Sequence, residues 1–406
     1  MNTLFFAFRN MKRNKLRAAA TIGAMALAGG VMILYSTLVD GIVVTMERNI
    51  VEMETGEIEI HAADYREDPD IYIQIKDHER LVEKLSAIGF NAAPRLYGFG
   101  LAAAGTSSSG VWLRGVNVRQ EAKVTQLDRH LASGAWLSED DPKGVVIGKK
   151  LSKSLNAATG SEIVVVSQAL DGSTANDIFI VRGVMKSVSE NLDRSGVMMT
   201  DEAFRALMSM PSGVHQIAVS RNDHVETLSA AAARVKEASP GLEVKTWREL
   251  KPIIANMLDT VDVTMMLMLL ITYTAIVIVT LNAMLMNVFE RIPEFGVMKA
   301  IGMTPLKVMA LVSAEALAQA IVACILALAI GLPFSFYAQS HGFDLSRFWT
   351  GGAVGGVAFD PIWKAKVTFK SVMTPLAALF IVAMTSVIYP GLKAALIKPR
   401  EAIYHR

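Results

Sequence analysis

Four long apolar runs, each without Asp, Glu, Lys or Arg, constrain this chain more than any other feature of its sequence. They occupy 18–39, 263–289, 316–342 and 371–392. A helix needs about 20 consecutive apolar residues to cross the hydrocarbon core of a bilayer, and buried helices of soluble domains are usually shorter. Only 19% of the residues are charged, against about a quarter in an average soluble domain. The apolar excess is aliphatic, because aromatics make up 7%. That mixture suits helical spans and not a barrel with aromatic girdles. The expected fold is an α-helical membrane protein with four transmembrane helices, at 18–45, 261–289, 305–340 and 371–392. One large α+β periplasmic domain, at 46–260, lies between the first and second spans. The first run is longer than a signal peptide's apolar region and lacks a small-residue cleavage signal directly after it, so it reads as an uncleaved anchor.

Basic residues set the expected orientation. Arg9, Lys12, Arg13, Lys15 and Arg17 precede the first span with no acid among them. Segment 1–17 is therefore expected in the cytoplasm. Four spans return the tail, 393–406, to the same side, where Lys393, Lys398, Arg400 and Arg406 sit. Against this stand Arg347, Lys364, Lys366 and Lys370 in the loop 341–370, which the same topology puts outside. A net charge of +2 excludes a nucleic-acid partner read through a basic surface. Cys324 is the single cysteine, so no disulfide can staple the outer domain.

Between the first two spans the pattern is mixed. Ile42, Val43, Met46, Ile50 and Met53 fall at helical spacing, which predicts that the first helix continues past its apolar run. Strands are expected at 57–61, 145–147, 163–167 and 178–184. Helices are expected at 77–88, 201–208 and 225–238. A hairpin is expected from 96–104 to 111–118 around the turn-forming 105–110 cluster.

Catalytic and ligand motifs are absent from the sequence pattern. Gly144 to Lys150 resembles a phosphate loop, yet it is one residue short between its glycines and lacks the magnesium-binding Ser or Thr. It reads as a strand entering a helix. The seven histidines form no paired metal motif. Ser107, Ser108 and Ser109 lack a nucleophile-elbow setting. No cofactor or metal is expected on this chain. Asp259 and Asp262 read as interfacial caps of the second span. Glu315 lies ten residues after Pro305, about 15 Å along the third helix. A carboxylate at that depth sits near the headgroups, in a helix–helix contact or along a cavity.

The turn at 290–304 is the most specific segment. Pro293 suits the first position of a short helix, Phe295, Met298 and Ile301 share a face, and Gly302 can close the helix at positive φ. Its residues Glu290, Arg291, Glu294, Phe295, Gly296, Val297, Met298, Lys299, Ala300, Ile301 and Gly302 resemble the coupling segment of FtsX-like, or MacB-type, ABC permeases. Pro293 departs from that pattern. The ending from Pro390 through Pro399, Glu401 and Ala402 resembles the family's C-terminus, and the basic leading segment its N-terminus. The stretch from Thr55 to His61, with Tyr65, is similar to the lipoprotein-releasing (Lol-type) members.

The resemblance implies a permease of the bacterial inner membrane working as a dimer, with a second copy or a paralogue. Two copies of a separate ATPase would hold ATP and Mg. Glu290, Arg291, Glu294 and Lys299 would meet that ATPase, with Phe295 and Met298 inserted into its cleft and Gly296 and Gly302 shaping the helix. Motion of the ATPase would be transmitted to the outer domain, releasing membrane lipid or lipoprotein toward a periplasmic carrier or adaptor. The alternatives are efflux of peptide or drug in a tripartite pump and regulation of a cell-wall hydrolase without transport.

Overall fold

The computed structural model describes residues 15–344 apart from 224, together with 352–354, 357–359 and 362–397. Arg9, Lys12, Arg13 and Arg347, and the tail motif from Lys398 to Arg406, lie outside the described residues. The chain divides into two compact units. One falls within Met1–Val44, Leu258–Trp349 and Pro361–Arg406, the other within Thr45–Met257 and Thr350–Asp360.

Helix α1, Lys15–Ile50, runs unbroken for 36 residues and ends in a π-turn at Val51–Thr55. The strand-rich unit then follows. Its strands are β1 (Ile58–His61), β2 (Phe90–Ala104), β3 (Ser107–Val116), β4 (Leu131–Gly134), β5 (Gly144–Ile147), β6 (Glu162–Gln168), β7 (Thr174–Met185), β8 (Gly196–Thr200), β9 (Gln216–Arg221) and β10 (Glu243–Thr246). Helices α2 (His78–Ala87), α3 (Val118–Val124), α4 (Lys149–Leu155), α5 (Glu190–Ser195), α6 (Asp201–Leu207) and α7 (Leu228–Ala238) lie between them.

The fifteen-residue β2 organises this unit. Its first half, Phe90–Arg95, pairs with β9, and Gly100–Ala103 pairs with β6. β9 pairs in turn with β1, and β1 with β10. The pairings β2–β3, β3–β8, β8–β5, β5–β7, β7–β6 and β6–β2 close a ring of strands. Alternation along each strand sends one set of side chains inward. Ala102, Leu113, Val165, Phe179, Val181 and Val197 fill that core.

Two expectations shift here. The polar 105–110 cluster is not all turn, because Ser107, Ser108 and Ser109 pair with Ala104, Ala103 and Ala102. Ladder bonds are made by backbone, which a serine supplies as well as a valine. The bend is Gly105-Thr106 alone, with Gly105 at φ 55°. β3 ends at Val116 and not at 118, because the Asn117 side chain accepts from the amide of Gln120 and starts α3. Gly144–Lys150 is a strand running into a helix, β5 into α4.

The helical unit continues with α8 (Pro252–Glu290), α9 (Ile292–Ala300), α10 (Pro305–Ser340), α11 (Phe369–Ser386) and α12 (Ile388–Leu396). Asp259 and Asp262 lie inside α8 and are exposed, so they are not caps; the helix has already begun at Pro252. Four helical stretches, Ala18–Thr55, Pro252–Glu290, Pro305–Ser340 and Phe369–Leu396, are long and apolar enough to cross a membrane. α1, α8, α10 and α11 share a core that includes Met25, Ile33, Tyr273, Ala323, Ala327 and Leu379. Small residues bring backbones close: a Cβ on Gly331 would stand 2.9 Å from Ile33 Cβ and 3.0 Å from the Gly30 carbonyl oxygen. Polar groups find partners across the helices. Thr37 Oγ1 donates to Ser335 Oγ at 3.0 Å, and Tyr273 Oη to the Pro375 carbonyl at 2.6 Å.

Candidate functional site

The turn between α8 and α9 is organised by Arg291. Its Nη1 donates to Glu315 Oε2 at 2.8 Å, and its Nε to Glu294 Oε2 at 3.0 Å. The guanidinium also lies 5.1 Å from the centre of the Phe295 ring. Asn287 Nδ2 donates to the other oxygen of Glu315 at 3.0 Å. One buried arginine thus ties α8, α9 and α10 together. A pair removed from water in this way is strong only when further hydrogen bonds satisfy its remaining groups, and Asn287 and Glu294 each supply one. Sequence reading placed Glu315 in a helix–helix contact or near the headgroups, and missed its partner. The available signal was the carboxylate's need for a cation, and Arg291 stands 24 positions earlier.

Phe295 requires a correction. It is 0% exposed and packs among Met284, Val288, Val308, Val312 and Ala316, with half-buried Met298 against the same cluster. It cannot also insert into a partner's cleft. The largest apolar side chain of the turn is taken by the chain's own core, since burying it there removes the most apolar surface from water. Lys299 is likewise turned inward. Its Nζ donates to the carbonyls of Ala395 and Ile397 at 2.8 and 2.6 Å, capping the end of α12. Gly296 is buried, while Glu290 and Gly302 are exposed. Gly302 has φ 101° and closes the turn. Pro293 is the second residue of α9 and not the first. The outward face of α9 therefore consists of Pro293, Val297 and Ala300, continued by Ile301 at 81% exposure. Leu306, at the start of α10, is exposed beside it in sequence. The short helix expected in this turn is present, with Phe295 turned into the chain's own core.

A second polar centre lies in the strand-rich unit. Glu59 and His61 (β1), Gln216 (β9), Arg95 and Tyr97 (β2) and Arg114 (β3) share one face through direct cross-strand pairing. α3 covers part of this face. From it Glu121 accepts from Arg95 Nη2 at 2.6 Å and from Nε at 3.1 Å, with both residues fully buried. Burial pushes the Glu121 carboxyl up, but the adjoining guanidinium more than offsets this and holds it below the usual range.

Where that cover ends, a cavity of about 370 Å³ remains, lined by Glu59, His61, Tyr97, Trp112, Arg114 and Lys251 among others. Burial raises Glu59 to about 7, partly opposed by Arg95 and Arg114. Burial, then Arg66 and Arg95, lowers His61 to about 4. His61 Nε2 is 3.4 Å from Glu59 Oε2. Gln216 lies beside His61 and favours its charged form, yet His61 Nδ1 and Gln216 Nε2 both lack a hydrogen-bond partner, as does Arg114 Nη1. Of its lining, Thr55, Glu59, His61 and Tyr65 fall in the Thr55–His61 and Tyr65 stretch that the sequence singles out, and the rest carries no motif.

Residues 18–238 match the family model of the MacB-like periplasmic core domain, and residues 266–399 that of the FtsX-like permease C-terminal domain. The chain belongs to the FtsX-like, MacB-type family of ABC permeases. Members of this family are non-catalytic subunits and generally work with an ABC ATPase. A search of proteins with curated functions finds no match. Among solved structures, the chain is similar to the periplasmic region of MacB from Actinobacillus actinomycetemcomitans, with 16% identity, coverage of 51% of this chain and 95% of that one, and a TM-score of 0.38. It is also similar to the extracellular domain of the ABC-type transporter YknZ from Gram-positive bacteria, with 14% identity, coverage of 47% and 98%, and a TM-score of 0.34. Within this permease, the periplasmic-core match takes in α1 and most of the strand-rich unit, and the FtsX match holds the turn built on Arg291.

Proposed function

We propose that this permease extracts or releases lipid or lipoprotein at the outer leaflet of the bacterial inner membrane, driven by a separate ATPase that binds ATP and Mg. The reading has the spans at 18–45, 261–289, 305–340 and 371–392, both termini in the cytoplasm, and domain 46–260 in the periplasm. A second permease copy or a paralogue and two ATPase subunits complete the complex, with a periplasmic carrier or adaptor receiving the cargo. The observation that carries it is the outward apolar face of α9, Pro293, Val297, Ala300 and Ile301, on a helix anchored from behind by Arg291 and Glu315. An apolar helix face of this kind suits a groove on a partner protein, and the anchoring link gives a push on that face a route into α8 and α10. At 36 and 39 residues, α1 and α8 are about 54 and 58 Å long. Both exceed a hydrocarbon core of about 30 Å, which suits transmission of motion along them.

The test is co-purification with the cognate ATPase. Ile301→Asp should reduce ATPase capture by at least about thirtyfold, the loss expected when an interface anchor worth about 2 kcal/mol is removed. Ile301→Asp leaves the core of the turn untouched, so undiminished capture means that α9 is a connector only. Mass spectrometry of co-purified material should find lipid or lipoprotein; a bound peptide or drug instead would favour efflux.

A further inference from the structure

The closed ring of strands buries one face and leaves much of the other uncovered. Phe99, Leu101, Trp112, Val166, Ile178 and Ile180 project from it, between 38% and 56% exposed. Cross-strand pairing makes the patch continuous: Phe99 stands opposite Trp112, Leu101 opposite Val166, and Val164 opposite Ile178. From β3 across β2 and β6 to β7 it spans about 14 Å at the usual strand spacing. An apolar surface this continuous marks something that covers it.

Trp112 belongs to both the patch and the cavity. It lines the cavity, and its ring meets Phe99 edge-on at 4.7 Å and Tyr97 at 6.0 Å. Arg114, two residues further along β3, lies over the Tyr97 ring at 5.2 Å and lines the same cavity. The other cations there are matched: Lys251 is 3.0 Å from Glu54, and Arg66 is 3.8 Å from Glu243. Arg114 has no carboxylate within ion-pair distance among the described residues, and its buried Nη1 is unsatisfied. A buried donor without a partner is costly, and a guanidinium fits a carboxylate in two-point geometry. Glu54 and Glu59 also line the cavity, so a second negative charge on a ligand would be opposed.

We propose that this site binds a single-chain acyl carboxylate. Its carboxylate meets Arg114, and its chain passes over Trp112 and Phe99 and along the uncovered strands toward Ile178. The site rests on the transport reading only for its purpose, which is to receive an acyl cargo outside the membrane.

The experiment uses the full chain in phosphatidylcholine nanodiscs. Photoreactive palmitic acid, the matching palmityl alcohol and photoreactive lysophosphatidic acid are cross-linked, and the labelled peptides are mapped by mass spectrometry. The acid should label the segments around Phe99 to Arg114 and around Ile178, about tenfold more than the alcohol. Arg114→Gln should lower that labelling about tenfold, the scale of one charge-assisted hydrogen bond. Arg114→Lys should keep most of it, which a misfolded strand would not. Equal labelling by acid and alcohol, labelling confined to the apolar helices, or no effect of Arg114→Gln overturns the site. Stronger labelling by lysophosphatidic acid overturns the carboxylate assignment. A photoreactive residue at Leu101 that traps a second copy, and not the acid, shows that the face is a protein interface. ATP-driven lipid release by the reconstituted complex is measured separately. Release without labelling sinks this site alone, and labelling without release sinks the transport reading alone.

Discussion

The turn after α8 and the cavity above β1–β3 both set an arginine beside an aromatic ring, and they finish it differently. At Arg291 two carboxylates stand at 2.8 and 3.0 Å, with Phe295 buried beneath. At Arg114 the ring is present, and among the described residues no carboxylate stands within ion-pair distance. A closed network fixes the relative positions of the helices that supply it. An open one leaves interaction energy for whatever enters. The first region therefore ties three helices together, and the second leaves an unsatisfied donor facing a cavity.

The largest effect that would break this comparison comes from removing a carboxylate. Glu315→Ala leaves Arg291 with Glu294 alone and takes the acceptor from Asn287, and should cost about 2–3 kcal/mol. Arg114→Ala removes a ring contact with Tyr97 but no ion pair, and should cost about 1 kcal/mol or less. Thermal unfolding of the two variants in nanodiscs checks the contrast, and equal losses would end it.

The next effect lies in the cavity and depends on pH. Glu59 is raised from 4.5 to about 7, so the folded state keeps a proton that the unfolded state gives up. The stability from that proton is full below 4.5 and is lost as pH rises through 7. His61 is lowered from 6.5 to about 4, so its contribution is full above 6.5 and is lost as pH falls toward 4. Between 4.5 and 6.5 the two slopes oppose each other. His61→Gln should therefore expose a fall in stability with rising pH of about 1.4 kcal/mol per unit, and Glu59→Gln a rise of the same size. Melting midpoints taken at half-unit steps decide this. If both variants keep the parent's profile, the cavity is wetter than its geometry implies.

The smallest effect sharpens the closed side. Lys299→Ala removes two hydrogen bonds to the end of α12, and because the side chain is half-exposed the loss should be about 1 kcal/mol. Capture of the ATPase should be nearly unchanged, since Lys299 faces its own chain. A loss of capture as large as that of Ile301→Asp would return Lys299 to the interface.

The strands around 145–147, 163–167 and 178–184 were legible because β-branched residues crowd each short local window. The helix in the turn was legible from Pro293 and Gly302. Its orientation was not, because Phe295 and Ile301 are both apolar and both fit an amphipathic reading. Deciding between them needs the surfaces of α10 and α12, which approach only on folding. Arg291 and Glu315 were each noticed, but their pairing joins positions separated by a helix, a turn and three more helical turns. The cavity was legible only as the Thr55–His61 stretch with Tyr65, since Arg114, Ser189 and Lys251 join its lining from separate stretches of chain.

By itself, then, the sequence determined the four apolar helices, the α+β character of the segment between the first two of them, and the family. These rest on hydropathy, alternation and short motifs, all of which are local. The tertiary structure alone decided which residues of α9 face outward, which carboxylate neutralises Arg291, and that Arg114 has none. Those outcomes depend on which distant surfaces exclude water from one another, and pairwise proximity of that kind is not written in any single window of the chain.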